Sequence, residues 1–249
     1  MKLNFRPRSL FNAFLAGCLL AVAPLRADDT LSQPAPAANS SQLYYLEAGQ
    51  PDAIEILAPP PLPGSPEQAA DLAEVQAVYH AASSNDMAAA YSEKKFSVFT
   101  FAPMVGDFFQ SDNLPKTTAF FKHVQKEAET VTDGAKDFYR RPRPYVIDPS
   151  LANGKLEKSF SYPSGHSTES MVLALVLADL FPDKHDAIIA RARSIGWHRV
   201  EIARHYMTDI QAGRVLAQAI VREMKNSPDF QKDFAGAQAE IASVQNTKN

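Results

Sequence analysis
From Ser65 to about residue 226 one pattern dominates. Apolar residues recur at steps of three and four, and no convincing period-two strand pattern interrupts them. Ser65-Pro66-Glu67 supplies an N-cap, a first-turn proline and an early acidic residue, and Ala69, Leu72, Val75, Ala77 and Val78 follow at helical spacing. Comparable runs cover about 84 to 95, 114 to 131, 167 to 181, 184 to 198 and 205 to 226. Met171 to Phe181 is the longest strongly apolar stretch of this region. It is broken by Asp179 and too short to cross a bilayer, so it reads as a buried core helix and no stable membrane span is expected. No repeat of fixed length is visible. These features predict an all-α fold: a single compact helical-bundle domain over residues 67–249.

Ahead of that domain lie two segments of different character. Lys2, Arg6 and Arg8 precede a mostly apolar stretch from Leu10 to Leu25, and Leu25-Arg26-Ala27 offers a cleavage site before Asp28-Asp29. Residues 1–27 therefore read as a signal peptide, which predicts a periplasmic or secreted protein. Leu15-Ala16-Gly17-Cys18 also looks like a lipoprotein processing site, but the apolar run continues through Leu19, Leu20, Ala21 and Val22, which favours cleavage near Ala27. Residues 28–66 hold eight of the 18 prolines, Pro59-Pro60-Pro61 among them. Proline fixes φ and removes a donor, so this stretch is expected to be a Pro-rich N-terminal arm, either laid along the domain or a flexible linker.

Composition excludes several classes. With 249 residues, 45% hydrophobic and 21% charged, the chain can bury a substantial core and is neither disordered nor collagen-like. Its formal charge of -3 argues against wrapping nucleic acid. Removing the four basic residues of segment 1–27 leaves 21 basic against 28 acidic residues, a charge of -7. Cys18 is the only cysteine, so the exported chain would have no disulfide to lean on.

Three motifs could carry chemistry. Lys136-Asp-Phe-Tyr-Arg-Arg-Pro-Arg143-Pro144 packs an ammonium and several guanidinium groups into one short stretch, a set suited to phosphate oxygens and equally to a solvated basic loop. Tyr162-Pro163-Ser164-Gly165-His166-Ser167 opens a helical run, where backbone N–H groups can meet an anion or where Ser and Gly simply cap a helix. His198-Arg199 is followed by His205-Tyr-Met-Thr-Asp209. His205 and Asp209 are four apart and would share a helix face, where a carboxylate could fix the imidazole tautomer and free the other nitrogen to attack. A surface His–Asp pair would look the same.

Taken together, Lys-x6-Arg-Pro, Pro-Ser-Gly-His and Arg-x5-His-x3-Asp in this order resemble the type 2 phosphatidic acid phosphatase superfamily, and within it the bacterial class A non-specific acid phosphatases. Leu57-Ala-Pro-Pro-Pro-Leu-Pro-Gly-Ser65, Leu114-Pro-Lys-Thr-Thr118 and Leu173-Ala-Leu-Val-Leu-Ala178 also look like family segments, so the likeness spans about residues 55 to 225. The resemblance implies hydrolysis of small phosphomonoesters with no cofactor and no metal. His205 would be the nucleophile, Asp209 would orient it and His166 would be the general acid. Lys136, Arg143, Ser164, Gly165 and Arg199 would surround the phosphoryl oxygens. It also suggests a homo-oligomer, and leaves lipid phosphate hydrolysis or vanadium-dependent halide oxidation as alternatives. One departure stands out: the family serine before the motif-three arginine is here His198. The neighbouring Trp197 is expected to pack, and Arg140 and Arg141 to lie on the surface.

Overall fold
A computed structural model describes residues 43–247, and all their regular structure is helical. The predicted signal peptide, Cys18 and arm residues 28–42 lie outside the described residues. The α-helices are Ala53–Ile56 (α1), Pro66–Ala81 (α2), Ser84–Ser92 (α3), Ala102–Val105 (α4), Pro115–Tyr139 (α5), Pro144–Ile147 (α6), Gly165–Leu180 (α7), His185–Glu201 (α8), Met207–Asn226 (α9) and Pro228–Thr247 (α10).

Helix α7 sits at the centre because from Met171 to Ala178 its sequence offers no polar residue. Val172, Leu173, Val176 and Leu177 are fully buried, and α5, α8 and α9 pack around it. A helix apolar all round has nowhere else to go. Each of those side chains contributes about 1.5–3 kcal/mol on burial. Helix α10 then covers α5 and α9, while α2 and α3 lean on α8. A second, smaller core of Val75, Tyr145, Leu151, Val200, Ala203, Tyr206 and Ile210 fills the corner between α8 and α9.

Two boundaries differ from the periodic reading. Helix α5 runs on to Tyr139 and carries Lys136 in its last turn, because Thr132, Ala135 and Lys136 are themselves buried. It stops at Arg140, which adopts φ 49° just ahead of Pro142. Helix α10 extends the helical region beyond 226, starting at Pro228 and burying Phe230, Ala237 and Ile241.

The described part of the Pro-rich segment is laid on the helices. Glu127, fully buried on α5, accepts backbone N–H groups from Tyr44, Tyr45 and Leu46. The Tyr45 hydroxyl donates to Asp233 of α10 at 2.9 Å, and the Tyr44 ring stacks on His123 at 3.6 Å. Farther along, Tyr139 and Tyr162 donate their hydroxyls to the carbonyls of Leu57 and Ala58.

What matters most for function is how closely α9 approaches the start of α7. A Cβ on Gly213 would stand 2.9 Å from the Ser164 carbonyl oxygen and 3.0 Å from both Ser167 Cβ and Thr168 Oγ1. With no side chain there, Ser164 N–H reaches the Asp209 carbonyl at 3.0 Å and Ser167 Oγ donates to the Ile210 carbonyl at 2.8 Å. Gly213→Ala is therefore expected to force the helices apart at a cost of about 1–3 kcal/mol. Thermal denaturation beside a kinetic assay checks this, and activity should fall further than the stability loss alone accounts for.

Candidate active site
The two prolines of motif one shape the site from below. The residue before a proline is confined to extended backbone, so Arg141 and Arg143, two apart, project to the same side. Arg141 reaches behind Asp209 and Arg143 reaches His205. A backbone bond from Ser161 N–H to the Arg141 carbonyl, 2.8 Å, brings the segment before α7 alongside.

His205 is buried, and its two ring nitrogens have different neighbours. Nδ1 lies 3.3 Å from Asp209 Oδ2, and Nε2 lies 3.1 Å from Arg143 Nη1. An Nδ1–H tautomer satisfies both, because it donates to the carboxylate and leaves the Nε2 lone pair toward the guanidinium. The shared helix face expected for this pair is not how the contact forms. His205 precedes α9, whose first residue is Met207, and Asp209 in the first turn folds back to accept the Tyr206 N–H at 2.9 Å. Asp209 Oδ2 also accepts from Ser161 Oγ at 2.5 Å. Burial, then repulsion from Arg143 and Lys136, holds the His205 pKa well below its ordinary value, so the ring is neutral.

Around this pair the other predicted residues converge. Arg143 donates to the carbonyls of Ser159 and Arg204 at 2.8 and 2.9 Å, and its Nη2 pairs with Glu157 Oε2 at 2.7 Å. Arg199, in the last turn of α8, pairs with the other oxygen of Glu157, while its Nε is buried without a partner. Burial lowers the Arg199 pKa to about 10. Lys136 Nζ comes within 3.3 Å of where a Gly165 Cβ would stand, so that glycine makes room for the ammonium. Burial, reinforced by Arg143, also lowers the Lys136 pKa. Ser164 caps α7 by accepting the Ser167 N–H at 3.4 Å. His166, in the first turn of α7, is bonded to the backbone of Glu93, and its Nε2 is buried without a partner. Burial, then Arg199, pushes its pKa down to about 3.

Several contributing residues escaped the sequence reading. Arg141 is not on the surface: it is 4% exposed. Its Nη1 pairs with Asp209 Oδ1 at 2.6 Å and its Nη2 with Asp71 Oδ2 of α2 at 2.7 Å, with Thr208 and Gln68 as further acceptors. The Arg-Pro-Arg-Pro alternation was the signal for it; nothing in the sequence marks Asp71 or Glu157. Arg140 is exposed, as expected. Trp197 does not pack inside: it is 37% exposed and donates its indole N–H to Glu201. His198 turns to Glu93, Nδ1 to Oε2 at 2.6 Å, a bond that raises its pKa, and Arg191 pairs with the same carboxylate at 2.5 Å. His198 thus anchors the residue whose backbone touches His166. Glu169, half-buried one turn beyond Gly165, is pushed up to about 7 by desolvation. Among the described residues no group of three or more His, Cys, Asp or Glu is placed to hold a metal ion, and no helix is long and apolar enough to cross a membrane.

A neutral histidine held by a carboxylate and surrounded by buried cations can receive an anion and act on it as a nucleophile. Residues 127–232, which contain every one of these predicted side chains, match the family model of the PAP2 superfamily. It is similar to a non-specific acid phosphatase of Providencia stuartii, 28% identical over 95% of this chain and 99% of that one. It is also similar to an acid phosphatase of Zymomonas mobilis, 28% identical over 90% of this chain and 89% of that protein. A non-specific acid phosphatase of Salmonella typhi is 32% identical over 57% of this chain and 59% of its own length.

The Arg141 cluster yields a test of stability. Removing the guanidinium strands two buried carboxylates, so Arg141→Met is expected to cost about 3–5 kcal/mol. Chemical denaturation measures it. Asp71→Asn should cost less, because Asp209 still pairs with Arg141.

Proposed function
We propose that this protein is an exported acid phosphatase that hydrolyses small phosphate monoesters through a phosphohistidine intermediate. That it is a phosphatase follows from the superfamily domain and from relatives named acid phosphatases over most of its length. The single observation supporting the covalent route is the His205 geometry: a neutral ring with Nδ1 against Asp209 and Nε2 turned to the cationic cluster.

In this reading the phosphoryl group lies against Arg143, Arg199, Lys136 and the N-terminus of α7, with Ser164 and the Gly165 N–H as further donors. The Nε2 lone pair of His205 attacks phosphorus as the ester P–O bond breaks. His166 gives its proton to the departing alkoxide oxygen. Water then attacks the phosphohistidine, returns a proton to His166 and releases phosphate with a neutral His205. Asp209 stabilises the positive charge that develops on the His205 ring during the first step. The cationic side chains supply the charge stabilisation in the transition state, so turnover is expected to be indifferent to EDTA. Export rests on the sequence of residues 1–27, and the mass of the mature N-terminus separates cleavage near Ala27 from processing at Cys18.

His205→Ala is expected to reduce kcat by about 10³-fold or more, with vanadate inhibiting the parent enzyme competitively. Full activity in that variant would sink the reading.

The pH dependence follows from His166. In the empty site burial and Arg199 hold its pKa near 3, so the ring is neutral at moderately acidic pH. A bound phosphoryl group offsets the cations around it and raises that pKa, charging the acid when it is needed. The group seen in kcat should therefore titrate at higher pH than the same group seen in kcat/KM, because kcat reports the complex and kcat/KM the free enzyme. Full pH profiles of both parameters, with His166→Ala as the control that removes the limb, check the direction.

A further inference from the structure
Glu157 bridges the two arginines assigned above to the phosphoryl group. Its Oε2 is 2.7 Å from Arg143 Nη2, and its Oε1 meets Arg199 Nη2. A carboxylate presents two oxygens to two guanidinium groups much as a phosphoryl group does, since either anion accepts the paired N–H donors of an arginine fork. Exposure separates the three partners. The arginine side chains are 2% and 3% exposed, whereas that of Glu157 is 32% exposed. The carboxylate is therefore the member of the trio that solvent reaches.

Its backbone is fixed independently. The Tyr145 hydroxyl donates to the Glu157 carbonyl at 2.8 Å and lies 3.2 Å from its N–H. The carboxylate can then leave by rotation of its side chain while the segment stays in place, and the exposed Lys155 and Lys158 flank it. What remains unsatisfied around the trio also points to a ligand. His166 Nε2 and Arg199 Nε are buried without partners, so the carboxylate's two oxygens do not use all the hydrogen-bonding capacity gathered there. A phosphate monoester brings three terminal oxygens and an ester oxygen.

We propose that Glu157 is a positioning residue that occupies the phosphoryl site of the empty enzyme, holding Arg143 and Arg199 in their binding geometry until the substrate's phosphoryl group displaces it. The proposal rests on the reading of those arginines as phosphate ligands. Without a counter-ion the two buried like charges would repel and separate, so Glu157 keeps them preorganised. The same contact competes with the ligand and weakens its apparent affinity by the fraction of molecules in which the carboxylate has swung out. Burial alone would raise the Glu157 pKa, but the charges of Arg143 and Arg199 hold it below the ordinary carboxylate value. Acidic conditions therefore leave the competitor ionised.

The test measures binding of inorganic phosphate to the full chain by calorimetry, for the parent, Glu157→Gln and Glu157→Ala, beside KM for a chromogenic phosphomonoester. Displacement predicts phosphate affinity about tenfold higher in both variants, a fall in KM by a similar factor, and a larger rise in melting temperature with phosphate than the parent shows. A purely structural role predicts the reverse, and unchanged or weaker phosphate binding with a raised KM overturns the proposal. If a variant folds only with phosphate present, phosphate has taken over the carboxylate's work and the proposal stands; if phosphate cannot restore it, the proposal falls. Arg143→Ala separates the two levels. Phosphate binding that survives this change overturns the reading of the site itself, whereas binding lost here but not tightened in Glu157→Gln overturns only the role of Glu157.

Discussion
Asp209 is the group on which the rest of the molecule depends. One buried carboxylate accepts from Ser161, from the Tyr206 N–H and from Arg141, and lies against His205 Nδ1. Those partners come from the segment before α7, the start of α9 and the Arg-Pro-Arg-Pro stretch after α5. Its main-chain carbonyl adds a fifth tie, to Ser164. Elements distant in sequence are thus referenced to a single side chain, and the histidine beside it inherits their fixed geometry. A buried polar network of this kind rigidifies its surroundings, whereas the loss of one member leaves an unpaired charge in the low dielectric.

Much of this could be read before any coordinates. Three- and four-step periodicity gave the all-α class and most helices, because α2, α5, α7, α8 and α9 each bury residues at those steps. The eight residues that the three motifs singled out could be picked by residue type alone, since a run of cations, a helix cap and a paired histidine at set spacing are legible as letters. Arg141 was harder. A charged residue in a basic stretch is ordinarily solvated, and its burial depends on Asp71, which lies seventy residues earlier on another helix. Glu157 left no trace at all, since a single glutamate between two lysines reads as a surface loop. His198 was noticed as a departure, but only packing shows that it turns to Glu93.

The electrostatics share one logic. Lys136, Arg143 and Arg199 are placed where water cannot screen them, and burial is the largest cause lowering each of their pKa values. Buried positive charge is costly, so the folded chain offsets it with Glu157 and keeps the nearby histidines uncharged. The net negative charge of the whole chain conceals this local concentration of cations, which lies on the inside of the fold.

Between α8 and α9 the chain turns through Ala203, a non-glycine residue at φ 51° and fully buried. Left-handed backbone at such a residue costs about 1–3 kcal/mol and persists only when its surroundings impose it. Here the surroundings are the small core of Val75, Tyr145, Leu151 and Ile210, supplied by four separate stretches of chain. The letters Arg-x5-His-x3-Asp can be copied into any helix pair, but the bend that brings Arg199 and His205 to one place cannot travel with them. The motif is portable as a signature and not as a working part, and chemistry of this kind would have to be inherited with the whole domain.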